Sequence, residues 1–380
     1  MKDISKLIQE MKPSGIREFF NYASERPDVI SLSVGEPDFI TPKPIIDAAK
    51  KSLDEGKTFY TSNQGLPILR EKISKYLLER FNVHYGSDEM ILTSGSSQGI
   101  LNALAALINP GDEIIVTEPT YICYVPDIEM CGGKAVVIPL SNDNGYVLTP
   151  DILKKYITDK TKAIFLSYPN NPTGAIMTKE QLEALLPIIL DNDLYVISDE
   201  IYAELTYGSR HCSIASLPHM KERTVLISGF SKAFAMTGWR LGYVCAPKFI
   251  LDQILKIQQF IMLSAPTNAQ YGAIAGLDYC MDDVINMVKE YNQRREYLLA
   301  SFKELGINCF DAHGAFYLFP SIKKYNMTSR EFCLKLLNEY NVLVVPGTAF
   351  GDSGEGYIRV SYAASMEKLK VFINTLRKMK

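Results

Sequence analysis

The chain has 380 residues, 47% of them apolar and 22% charged, with a formal net charge of −3. This ordinary globular balance leaves room for two domains, gives no basic field for nucleic acid or membrane, and contains no apolar run of the roughly 18–20 residues that span a bilayer. No signal-peptide core, no C-x-x-C spacing among seven cysteines and no metal-type grouping of four histidines is present, so a cytoplasmic protein with reduced thiols and no metal is expected.

Residues 1–30 open with a polar, helix-patterned stretch, followed by Pro13-Ser14-Gly15-Ile16-Arg17. The alternation Val29–Val34 predicts a short strand that stops at Gly35-Glu36-Pro37-Asp38. A glycine there lets a ligand approach the backbone, although Pro37 and Asp38 suit a plain turn equally. Helical spacing covers about 43–55 and 66–81, on either side of a linker that holds Phe59 and Tyr60. Met90–Leu101 reads as strand, small-residue turn and helix, with Ser96 and Ser97 at the helix start. Such a start captures phosphate or is merely capped.

Glu113–Thr117 is a strand running into Tyr121, and Lys162–Ser167 is another running into the turn Asn170-Asn171-Pro172-Thr173-Gly174. Leu194–Ser198 ends in Asp199-Glu200-Ile201-Tyr202. A carboxylate buried there needs a cationic partner, or it serves as an N-cap. Leu226–Tyr243 opens apolar, breaks at Ser228-Gly229-Phe230-Ser231, and presents Lys232 eight residues before Arg240, beside the only tryptophan. A lysine in a partly dry pocket near another cation loses charge and becomes a nucleophilic amine; a surface lysine is the alternative. A long helix is expected at about 280–304, then strands over Asp311–Pro320, Val342–Gly347 and Tyr357–Tyr362. Arg359, alone among apolar neighbours, has a fork suited to a carboxylate.

The run Ser228-Gly229-Phe230-Ser231-Lys232-Ala233-Phe234-Ala235-Met236-Thr237-Gly238-Trp239-Arg240 resembles the cofactor-lysine segment of the class I/II aminotransferases, fold type I enzymes that use pyridoxal 5'-phosphate. The resemblance implies a Schiff base at Lys232, which also acts as the general acid/base. It implies phosphate contacts from Ser96, Ser97, Ser231 and Arg240, and from Tyr60 across a homodimer interface. It further implies ring stacking by Tyr121, phenolate contacts from Asn171 and Tyr202, and a ring-nitrogen partner in Asp199. Gly35, Asn171 and Arg359 would hold the substrate carboxylate. Gly229 departs from a family serine at that position, which is why the hydroxyl contact passes to Ser231.

The implied fold is α/β: a large domain with a mostly parallel sheet covered by helices on both faces, over 45–280, and a smaller α+β domain over 281–380 that 1–44 joins. The candidate residues follow strands, at the carboxyl edge where such sheets bind ligands. The implied reaction moves the amino group of an L-amino acid, acidic, aromatic or of broad range, to a 2-oxo acid such as 2-oxoglutarate. A C–S or β-lyase on the same scaffold and a non-catalytic cofactor-sensing regulator are the alternatives. Ile16, Arg17 and Tyr317 are the candidates for the side-chain pocket.

Overall fold

The computed structural model describes residues 3–11, 13, 15, 16, 19, 22, 26 and 28–379. The strands among these residues are β1 (Ile30–Ser31), β2 (Met90–Thr93), β3 (Glu113–Glu118), β4 (Lys134–Pro139), β5 (Thr161–Ser167), β6 (Tyr195–Asp199), β7 (Thr224–Gly229), β8 (Gly242–Cys245), β9 (Tyr317–Leu318), β10 (Val342–Leu343), β11 (Val345–Pro346) and β12 (Ile358–Ser361). Seven of them form one sheet in the order β2-β8-β7-β6-β5-β3-β4. It is a mixed, mostly parallel sheet in which β8 runs against both of its neighbours.

Side-chain alternation explains how this sheet is buried on both faces. On β3, Ile114 and Val116 join a core with Ile100, Leu104 and Leu251, from the helices Ser96–Leu107 and Lys248–Ile261. Ile115, between them, packs on the other side with Leu182, Leu185 and Ile189 of the helix Lys179–Asp191. Apolar residues of both parities are what a doubly covered sheet requires. The helix Lys179–Asp191 starts at a capping box in which Thr178 and Gln181 satisfy each other's backbone. The expected helices at 43–55, 66–81 and 280–304 are found at Lys43–Asp54, Pro67–Phe81 and Met281–Glu304.

The carboxy-terminal strands are shorter than their apolar runs. Strand geometry begins only at Tyr317 within Asp311–Pro320, because Gly314 lies so close to Pro169 that a Cβ would stand 2.4 Å from that ring, and Ala315 turns at φ 56°. Val342–Gly347 divides into two strands that serve different partners: β10 pairs in parallel with β1, and β11 pairs with β12. β12 also pairs with β9. Leu32 joins the two regions, donating to Leu343 O at 2.8 Å and accepting from Ser361 N at 2.9 Å. Among the described residues no helix is long and apolar enough to cross a membrane.

Candidate active site

A cavity of about 480 Å³ opens where the parallel strands end. Gly35, Ser96, Ser97, Tyr121, Asn171, Asp199, Tyr202, Ser231, Lys232, Arg240 and Arg359 all line it. Residues as far apart in sequence as Gly35 and Arg359 thus converge on one space. Tyr60 does not line it; its side chain is 80% exposed elsewhere on the chain. Ile16 and Tyr317 lie in the wall, whereas Arg17 falls outside the described residues.

Lys232 follows β7 in a turn fixed by the buried rings of Phe230 and Phe234. The turn approaches β8 closely: a Cβ on Gly229 would lie 2.9 Å from Gly242 Cα. Nζ donates to Gly35 O at 2.5 Å and faces the rings of Tyr202 and Phe316 at 5.8 and 5.9 Å. Burial, followed by the Arg359 charge, lowers its pKa to about 8, while Glu36 acts in the opposite direction. The amine is therefore free over a range in which an ordinary lysine is protonated.

Asp199 terminates β6 and is 4% exposed. Tyr124 donates to its Oδ2 at 2.8 Å and the Ile201 amide to its Oδ1 at 3.1 Å. Ser167, its register partner on β5, sits 2.9 Å from the same Tyr124 hydroxyl. Despite these donors, burial pushes the carboxyl up to about 6. A cation placed beside it would restore the charged form.

The loop before the helix Ser96–Leu107 forms an anion cradle. Gly95 adopts φ 80°, no side chain caps the first turn, and the Arg240 guanidinium occupies the space that a Gly95 Cβ would fill. Uncapped amides at a helix start, facing an arginine, attract an anion. Arg240 itself donates to Thr237 O at 3.0 Å.

Arg359 on β12 is 2% exposed and lies between the rings of Tyr317 and Phe350, 4.5 and 4.7 Å from their centroids. Nη1 donates to Asn171 Oδ1 at 3.0 Å and Nη2 to Ser33 O at 2.5 Å, while Nε has no partner among the described residues. Accepting from Arg359 through Oδ1 leaves the Asn171 amide nitrogen as a donor. Tyr202 and Tyr317 hydroxyls meet at 2.8 Å.

Sequence reasoning missed Tyr124, Ser33 and Phe350. Tyr124 lies three residues after Tyr121, at the start of the helix Tyr124–Met130, and carries no motif of its own. Ser33 acts through a carbonyl, which any residue supplies. Only the apolar company of Phe350 could have marked it.

Comparisons with known proteins set the whole chain beside aminotransferases. The sequence profile described as aminotransferase class I and II matches residues 27–376. The chain is 42% identical to an aspartate aminotransferase of Pyrococcus abyssi, over 99% of this chain and 98% of that one. It is 39% identical to aromatic-amino-acid aminotransferase 2 of Thermococcus litoralis, again over 99% and 98%. The solved structure of an aspartate aminotransferase from Thermus thermophilus with maleate superposes with a TM-score of 0.96 at 34% identity, covering 100% of both chains.

Proposed function

We propose, from the premise that this chain belongs to the class I and II aminotransferase family, that its cavity holds pyridoxal 5'-phosphate and moves the amino group of an L-amino acid to a 2-oxo acid such as 2-oxoglutarate. The donor set fits that cofactor. The Gly95–Ser97 cradle with Arg240 and Ser231 suits a phosphate, the Tyr121 ring suits a pyridine face, and buried Asp199 suits a protonated ring nitrogen. Asn171 and Tyr202 offer donors to a phenolate oxygen, and Lys232 offers the amine that an aldehyde requires. When bound, the cofactor supplies an electron sink for the Cα–H bond of the amino acid.

The chain's own residues do the rest. Arg359, helped by the Asn171 amide and the Gly35 backbone, binds the α-carboxylate and so fixes which Cα bond faces the reacting centre. Lys232 Nζ would take the Cα proton as base and, as the conjugate acid, pass it to the cofactor carbon that holds the amino group rather than back to Cα, a task that suits an amine whose pKa is about 8. The rings of Tyr202, Phe316 and Tyr317 exclude water from that transfer.

The wall of the cavity supports a choice of donor. Among its described lining residues the cations are Lys232, Arg240 and Arg359, each already engaged, and the remaining wall includes Ile16, Val34 and Ile122. These apolar residues suit an aromatic or apolar donor side chain.

The observation that carries the reading is the convergence of the Lys232 amine, the buried Asp199 carboxyl and the Arg359 fork on one cavity. Borohydride reduction of the cofactor-loaded protein should place the adduct on Lys232. A donor panel with 2-oxoglutarate should yield oxo acid fastest from aromatic amino acids. An adduct elsewhere, or Lys232→Ala retaining transamination, would overturn the reaction; aspartate exceeding the aromatics would overturn the choice of donor. Pyruvate release from cystathionine without an acceptor would point to a lyase.

We further propose that two copies share their sites. Asn63 Nδ2 donates to Leu263 O and Thr267 Oγ1 donates to Phe59 O, at 3.0 and 2.9 Å. These bonds hold the 59–63 segment beside 260–267 and gather Phe59, Tyr60, Phe260 and Ile261 in exposed positions. Burying this apolar surface against a second copy would bring Tyr60 to the neighbour's phosphate cradle. The β1–β10 pairing supports grouping 1–44 with 281–380 as the smaller domain, apart from 45–280.

A further inference from the structure

Glu200 directly follows Asp199 and points the other way. Successive side chains at a strand end alternate between faces, so Asp199 lies on the side of its β5 partner Ser167, while Ser198 and Glu200 share the opposite side. Glu200 is 3% exposed and would be costly there alone. Its Oε1 accepts from Ser198 Oγ and Ser213 Oγ, both at 2.8 Å. Its Oε2 accepts from His211 Nε2, also at 2.8 Å. A carboxylate only accepts, so Nε2 carries the proton. The backbone of Glu200 is pinned as well: its amide donates to Ile227 O at 2.8 Å, and its carbonyl accepts from Ser228 Oγ at 3.2 Å. The His211 ring packs edge-on against Phe81, with centroids 5.8 Å apart.

This cluster does no chemistry in the mechanism above, yet it holds the peptide that aims Asp199. It also closes the segment between Glu200 and His211, which carries Ile201 and Tyr202 into the cavity wall. We propose that Glu200 is a positioning residue for Asp199, and that His211, through its bond to Glu200, locks the Asp199–Tyr202 turn in register with the cofactor. The inference rests on reading Asp199 as the partner of the cofactor's ring nitrogen. Charge-assisted bonds on a buried carboxylate are strong and directional, which makes them suited to fixing a neighbouring backbone. Displacement of a reacting group by an ångström costs about 100-fold in rate.

The test compares His211→Phe, which keeps a ring against Phe81 but loses the donor, with His211→Gln, which restores an N–H. His211→Phe should lower kcat by about 10- to 100-fold with KM for the donor within about twofold. It should also weaken pyridoxal phosphate binding, read by quenching of Trp239, the only tryptophan, and shift the visible absorption band of the loaded protein. His211→Gln should recover most of each loss. A purely structural role would lower the melting temperature and leave kcat and the band of the folded protein unchanged. That result, or a loss that His211→Gln does not repair, overturns the proposal. If His211→Phe does not fold, Glu200→Gln must show the same kcat and spectral changes, and its failure to do so is equally decisive. Asp199→Asn separates the premises: an active Asp199→Asn defeats the reading of Asp199 itself, whereas an inactive one beside an unimpaired His211→Phe defeats only the positioning role.

Discussion

Asp199 is held in the cavity at an energetic cost. Its folded-state pKa of about 6 lies above the ordinary carboxyl value of 3.8, with burial as the leading cause. A raised pKa means that the folded chain binds more protons than the unfolded one between these values. The stability associated with that protonation is complete below pH 3.8 and is lost as pH rises through 6. Asp199→Asn removes a charge that the cofactor-free protein must desolvate. Urea unfolding of the cofactor-free variant at pH 8 should therefore show a gain of about 1–3 kcal/mol, shrinking toward zero near pH 4. The same variant should lose transamination. Lys232, Asp199 and Arg359 were legible in the sequence because each is a chemically distinctive residue set in a local pattern. Tyr124 and Ser33 were not: one is an unremarkable aromatic, and the other contributes a carbonyl whose direction only the assembled fold sets.

At the scale of elements, the proposed phosphate cradle depends on the turn between β2 and the helix Ser96–Leu107. Gly95 there has φ 80° and shares its space with the Arg240 guanidinium. Gly95→Ala adds strain at a left-handed position and displaces Arg240, two effects in the same direction. Pyridoxal phosphate affinity should fall about tenfold or more while far-ultraviolet circular dichroism stays as in the parent. Strand–turn–helix order could be read from Met90–Leu101, since the apolar run and the small-residue break are local signals. The antiparallel insertion of β8 between β2 and β7 could not, because Gly242–Cys245 is apolar in either direction and its partners are chosen by long-range pairing. The shortening of the Asp311–Pro320 strand was hidden for a related reason, since the approach of Pro169 to Gly314 arises only in three dimensions.

For the whole molecule, the exposed aromatics predict association. Phe59 and Tyr60 are 81% and 80% exposed and Phe260 is 93% exposed, beyond what scattered surface residues account for. Sedimentation equilibrium should give twice the chain mass, and Phe260→Lys should shift the protein toward monomer and lower its activity. A monomeric parent would remove the shared-site arrangement. One feature of the architecture bears on synthesis. The guanidinium on β12 is bonded to the carbonyl of Ser33 and to Asn171, so this pocket is assembled from residues made early, midway and late. A chain still emerging from the ribosome can form the central strands and expose Lys232 before Arg359 has been made. On the proposed reading, the growing polypeptide is therefore without its carboxylate grip until residue 359 has been added and has reached Ser33.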